Sequence, residues 1–247
     1  MNRRTISLNS STISLRHRTG FLNTLTKKRI IIMSSIAGAA VVVVLLCFWL
    51  FAERTINGID VSHYQGNISW TAMAQSSDVK FVYIKATEGS TNQDSSFKQN
   101  WEGALKNGIT PGAYHYFTDT SPAQDQAENF IATVPKIKGM LPPAIDVEGS
   151  IAENSSFKSE LTVFVNTVAE YYGVKPVFYT PYSVYNQIYD DYSNYDFWII
   201  DDQTQPLVKG WTFRQYTTTG KIAGVDGDVD LDEYQGSLWD FEKLKLK

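Results

Sequence analysis

The sequence predicts an α/β protein, an irregular (β/α) barrel of modified TIM-like type, preceded by one transmembrane helix. Three observations carry that prediction. An uncharged apolar run near the N-terminus is long enough to span a bilayer. Short β-like runs then alternate with amphipathic helical runs. About eight strands fit within the remaining residues, too many for a small open sheet and suited to a closed barrel.

The apolar run extends from Ile30 to Ala52 and includes Val41-Val42-Val43-Val44-Leu45-Leu46. A hydrocarbon core of about 30 Å needs roughly 20 apolar residues in a helix, and only a helix satisfies its own backbone there. A cleaved signal peptide is the rival, but its apolar stretch is usually about 7–15 residues and ends in small residues. This one ends in Phe48-Trp49-Leu50-Phe51. Cys47 follows Leu46, a poor context for lipidation. Upstream lie Arg3, Arg4, Arg16, Arg18, Lys27, Lys28 and Arg29 with no acidic residue. The positive-inside rule then keeps residues 1–29 cytoplasmic as a basic tail and sends residues 55–247 out of the cytoplasm, to a periplasm or cell surface. The expectation is a single-pass membrane protein, embedded in lipid through residues 30–52 and acting as a monomer.

Residues 55–247 hold 14 basic and 25 acidic side chains, a net charge near −11, which argues against nucleic acid as a partner. The chain's single cysteine lies in the apolar run, so a packed core rather than disulfides must hold this region together. The first strand is read at Ile59-Asp60-Val61 and the second from Val79 to Ile84. A helix follows, with Phe97, Trp101, Ala104 and Leu105 at helical spacing and Gly108 as its stop. The strand Gly112–Phe117 leads to Ser121-Pro122, a helix start, and a helix through Phe130. Next come the strand Pro143–Glu148, a helix from Phe157 to Tyr172 closed by Gly173, and the strand Pro176–Tyr179. Three further strands, Phe197–Ile200, Trp211–Tyr216 and Asp228–Leu231, have only loops between them. That irregularity is why a regular eightfold barrel is not expected.

Catalytic groups in such barrels sit at the C-terminal ends of strands. Asp60, Glu148 and Tyr179 fall there. Asp146 and Glu148 are two apart in an apolar strand, so their side chains share a face. A pair of carboxyl groups is what acid-catalysed glycosidic cleavage requires, and their repulsion would keep one protonated. Glu148, with longer reach and nearer the strand end, is the expected general acid. An exposed pair at a strand end is the plain alternative. The run Asp226-Gly227-Asp228-Val229-Asp230-Leu231-Asp232 lacks an EF-hand's glycine at the sixth position and its glutamate at the twelfth, and its alternation reads as a strand with one polar face. His63 and His115 lack short zinc-ligand spacing. Tyr64, Tyr114, Tyr116, Tyr179, Trp198, Trp211 and Tyr216 are candidates for stacking on sugars, although most aromatics belong to cores.

Several blocks taken in order resemble glycoside hydrolase family 25, the lysozymes of the Chalaropsis type. They are Gly58-Ile59-Asp60-Val61-Ser62 with Tyr64-Gln65-Gly66, Ile84-Lys85-Ala86-Thr87-Glu88-Gly89, Gly112-Ala113-Tyr114-His115-Tyr116, Ile145-Asp146-Val147-Glu148, Phe178-Tyr179-Thr180, Gln215-Tyr216 and Val229-Asp230-Leu231. The resemblance implies a modified barrel with an acidic groove that hydrolyses the N-acetylmuramic acid to N-acetylglucosamine bond of peptidoglycan without metal or organic cofactor. It carries Glu148 over as the acid, with Asp60, Asp146 and Asp230 completing the catalytic cluster. Tyr114, Tyr179, Gln215 and Glu88 are expected to bind substrate. Ile200-Asp201-Asp202 departs from the family's pattern after Trp198-Ile199, which puts substrate contacts on that side in doubt. The rival readings are a chitinase-like hydrolase and a non-catalytic wall-glycan-binding domain.

Overall fold

The computed structural model describes residues 38–43, 56–148, 156–203, 207–208 and 210–247. Residues 1–52 and 53–247 form separate compact units. In the first, residues 38–43 are helical and exposed. The basic tail and the rest of the predicted span lie outside the described residues. Among the described residues no helix is long and apolar enough to cross a membrane.

The second unit is a closed barrel of eight strands. These are β1 (Ile56–Val61), β2 (Phe81–Glu88), β4 (Thr110–Tyr116), β5 (Ala144–Asp146), β6 (Val177–Pro181), β7 (Phe197–Ile200), β8 (Phe213–Gly220) and β9 (Val229–Tyr234). The two-residue β3 (Asn92–Gln93) folds back beside the end of β2. Pairing of β1 with both β2 and β9 closes the ring. From β1 through β8 neighbouring strands run parallel, but β9 is antiparallel to both β8 and β1. The helices are α1 (Trp70–Ser76), α2 (Phe97–Lys106), α3 (Ala123–Thr133), α4 (Phe157–Tyr172), α5 (Tyr182–Tyr192) and α6 (Leu238–Leu244).

Strand alternation divides the core in two. Ile59, Val82, Ile84, Ala113, Ile145, Phe178 and Ile199 point outward into the layer shared with the helices. Ile56, Phe81, Tyr83, Ala144, Val177, Trp198, Phe213 and Tyr234 point into the barrel, where Phe241 of α6 joins them. α6 therefore plugs the end at which the parallel strands begin. Gly58 takes part in this packing, because a Cβ there would run into the Phe81 ring.

Among the described residues no helix lies between β7, β8 and β9, in agreement with the sequence reading. α1, α5 and α6 were not anticipated. The helix after Ser121 begins at Ala123 with Pro122 as its N-cap, and Glu160 accepts the Ala123 N–H at 2.8 Å. Gly108 and Gly173 do follow helix ends with positive φ of 73° each, a conformation that costs glycine little.

Candidate active site

The inward faces change character along the barrel. Apolar rings fill its lower part, and carboxylates fill the end where the parallel strands finish. Asp60 is the penultimate residue of β1, and its partner in the β1–β9 ladder is Asp230. Because β9 is antiparallel, it delivers Asp230 from its beginning rather than its end. Asp232, two residues on and on the same face, is fully buried and accepts the Trp198 indole N–H at 2.8 Å. Asp146 closes β5 and is 4% exposed. Its Oδ1 has no protein partner among the described residues. Glu148 lies just past the strand and is exposed. The backbone beneath it is fixed by Val147 N–H donating to Tyr179 O at 2.9 Å and by the Thr180 hydroxyl donating to Val147 O at 2.8 Å.

A hydrogen-bonded chain crosses the mouth. The Tyr179 hydroxyl donates to Gln215 Oε1 at 3.1 Å, and Gln215 Nε2 donates to Asp60 Oδ2 at 2.8 Å. With both amide ends engaged, Gln215 holds one orientation, and Asp60 is held with it. Tyr114 lies within the field of Asp60, Asp146 and Asp230, and its ring meets Trp198 edge-on with centroids 6.4 Å apart. Glu88 sits at the end of β2 in an ion pair of 2.6 Å with Lys85.

Burial is the first cause of every carboxyl shift here, because it disfavours the charged form. It raises Asp60 well above the usual range, and the charges of Asp232 and Asp230 add to that while Gln215 opposes it. Burial raises Asp146 as well, with Glu148 adding and Lys85 opposing. Asp232 is raised in the same way against the Trp198 hydrogen bond. Asp230 is pushed up to about 6 by burial, with Asp60 bonding lowering it and Glu148 raising it. Glu148 is raised by burial and lowered by Lys85. Mutual repulsion was the expected cause at Glu148. The structure makes desolvation the main one, and the repulsion shows at Asp146 and Asp230.

The expected site residues Asp60, Asp146, Glu148, Asp230, Tyr114, Tyr179, Gln215 and Glu88 thus gather at one end of the barrel. Three further residues had not been singled out. Asp232 was legible as the next same-face member of the alternating run. Lys85 was legible as an inward position two after Tyr83. Asp94 had no local signal; it is side-chain buried and accepts from the His63 ring at 2.7 Å and from the Ser96 N–H at 2.9 Å.

Some candidates serve packing instead. His115 points outward between Thr87 and Gln126 and stacks on Phe164. Gln126 Nε2 is committed to Thr118 O and Ser121 O, so its Oε1 accepts from His115 Nε2–H. Nδ1 then accepts from the Thr87 hydroxyl, and burial lowers the ring to about 4, keeping it neutral. Trp198 and Trp211 are buried at 1% and 8% exposure, while Tyr64 is 80% exposed beside His63. Asp201, in the departing segment, ties its own loop by accepting Gln203 N–H at 2.9 Å and Leu207 N–H at 2.7 Å. It borders a hollow of about 510 Å³ that reaches Gln215.

The model of the family described as "Glycosyl hydrolases family 25" matches residues 59–225. Uncharacterized protein YegX of Escherichia coli strain K12 is 34% identical over 197 residues, covering 76% of this chain and 72% of that protein. Lysozyme M1 of Streptomyces globisporus is 32% identical, covering 74% and 68% respectively. A family 25 glycosyl hydrolase structure from Bacillus anthracis superposes with a TM-score of 0.71 at 37% identity, covering 76% of this chain and 92% of that one. A barrel with its carboxylates gathered at one mouth and a family match across most of its length lead to one conclusion: the chain belongs to glycosyl hydrolases family 25 and is a glycoside hydrolase.

Proposed function

We propose that the chain is a membrane-anchored muramidase that hydrolyses the β-1,4 bond from N-acetylmuramic acid to N-acetylglucosamine in peptidoglycan. The observation that carries the reading is the placement of Glu148, an exposed carboxyl raised by its partly desolvated surroundings at the rim of a mouth lined by Asp60, Asp146 and Asp230. Peptidoglycan as substrate is supported by the likeness to Lysozyme M1. Glu148 is the general acid, protonating the leaving glycosidic oxygen while positive charge develops on the sugar. The ionised members of the cluster stabilise that charge, and Asp146 Oδ1, buried beneath the mouth, has no protein partner among the described residues. Tyr114, Tyr179, Gln215 and Glu88 position the glycan. The Tyr179–Gln215–Asp60 chain fixes the Asp60 carboxyl.

Release of reducing ends from purified peptidoglycan tests the activity. Glu148→Gln keeps the shape but has no proton to give, so the rate should fall by about 10²–10⁴-fold with folding little changed. Near wild-type digestion by that variant would remove Glu148 from the role. Anchoring rests on the uncharged run from Ile30 to Ala52 and the seven cations before it, and it places the enzyme outside the cytoplasm. N-terminal sequencing of the mature protein should find the run retained; a start beyond Ala52 would refute the anchor and leave the hydrolase reading intact.

A further inference from the structure

The end of the barrel opposite the carboxylates has its own chemistry. α6 buries Phe241 in the barrel floor but leaves Leu238 and Trp239 at 55% and 62% exposure. Beside it, a hollow of about 550 Å³ is lined by Lys136, Lys138, Lys243, Lys245 and Lys247. The segments are locked together, since Gly139 N–H donates to Leu246 O at 2.8 Å and Leu246 N–H to Met140 O at 2.9 Å. Lys243 lies over the Trp239 ring, and Lys136 lies 5.8 Å from the centroid of Tyr171, itself 45% exposed. Two carboxylates oppose this patch: Asp240 pairs with Lys243 at 3.4 Å and Glu242 with Lys245 at 2.5 Å. Among the side chains of α6 and this hollow, five cations against two anions leave a net positive patch, on a domain that carries about −11 overall.

We propose that this floor is a docking face for anionic lipid headgroups. Exposed Trp and Tyr flanked by lysine are the side chains favoured at a membrane–water interface, and a lysine cluster beside them is attracted to a negative surface. Exposed rings set among the lysines select a bilayer as the occupant, and the chain's route bears on its orientation. β1 opens at Ile56 on this same end of the barrel, its ladder partner Tyr234 leads into α6, and the apolar run ends at Ala52. The domain's negative charge works against the contact, but the acidic mouth lies a strand length away, about 20 Å. The Debye length is about 8 Å at physiological salt, so the near lysines outweigh the distant carboxylates. Docked in this way, the domain turns its active mouth away from the bilayer. That orientation rests on the anchored reading above; the lipid affinity of the face does not.

Residues 53–247 form a compact unit containing both apolar cores, and the matching Bacillus anthracis chain is covered over 92% of its length, so the domain can be tested alone. The domain is sedimented with vesicles of phosphatidylcholine, or of phosphatidylcholine with one-third phosphatidylglycerol. Binding is expected only with phosphatidylglycerol and should be released by high salt. Lys136→Ala, Lys138→Ala and Lys243→Ala combined should weaken it by on the order of 100-fold, since each lysine near an anionic surface is worth about fivefold. Trp239→Ala should weaken it separately. Circular dichroism spectra and peptidoglycan hydrolysis in solution should be unchanged in all of them, the spectra showing that they are folded. No sedimentation with phosphatidylglycerol, or binding indifferent to the lysines, overturns the proposal. Retention on polyphosphate beads without vesicle binding overturns it too, and assigns the face to a wall-bound anionic polymer. Loss of the anchor or of muramidase activity in the tests above would leave this result standing.

Discussion

The lower and upper halves of the barrel interior are built from the same strands, the same inward faces and nearly the same burial, yet they are held together differently. Below, Phe81 packs edge-on to Phe213 at 5.3 Å and against Phe241 at 5.7 Å between ring centroids. Above, Asp60, Asp146 and Asp232 occupy equally dry positions. The aromatic half gains from burial, whereas the carboxylate half loses by it, since each charge removed from water costs free energy unless paired or protonated. Trp198 sits at the boundary, stacked on Tyr83 at 4.7 Å and donating its N–H to Asp232. The lower half therefore underwrites the fold and the upper half spends stability on chemistry.

Phe81→Ala is the largest way to break that contrast. Removing a buried phenyl from the floor should cost about 3–5 kcal/mol of stability, by lost transfer energy and the cavity left behind. Denaturant titration measures this loss. Turnover per folded molecule should be close to normal, because Phe81 is remote from the mouth.

The upper half should respond to pH in the opposite sense from most acidic proteins. The folded-state values of Asp60, Asp146 and Asp232 lie above their unfolded ones. Between the two values the folded state binds more protons, so stability falls as pH rises through that window. For Asp230 the window runs from the ordinary 3.8 to about 6. The thermal midpoint should rise as pH is lowered from 7 toward 5. Asp60→Asn, which keeps an acceptor for Gln215 but carries no charge, should flatten the curve and be no less stable at pH 7. A wild-type midpoint that falls steadily over this range would mean that the cluster is better solvated than its burial implies.

The same contrast explains what the sequence could reveal. The order and number of strands and helices sufficed for the barrel, and period-two spacing put Asp146 and Glu148 on one face; the same spacing joins Phe81, Tyr83 and Lys85, a face the sequence reading did not use. It did not give strand direction. The ladder sets Asp230 opposite Asp60, but through an antiparallel β9, which depends on pairing between residues far apart in sequence. α5 was missed although Tyr182, Tyr185, Tyr189 and Tyr192 recur at helical spacing, because tyrosine and aspartate are weak helix formers and the run looks like a loop. Asp94 was invisible for a different cause: only the fold of the loop after β3 brings it beneath His63.

The smallest expected effect, and the most discriminating, is at Asp230. It faces Asp60 across the ladder and feels the charge of Glu148. Repulsion is reciprocal, so Asp230 must also help Glu148 keep its proton, even though burial is the main cause there. Activity should be bell-shaped in pH, with a basic limb that reports the coupled carboxyl groups rather than one side chain. Asp230→Asn removes one negative charge and should move that limb to lower pH by about one unit, the effect of a nearby like charge. The acidic limb should move less, because Asp146 and Asp60 retain their burial. An unmoved limb with an undiminished maximum rate would leave Asp230 as a polar strand residue, and the mouth would then work with the carboxylates of β1 and β5 alone.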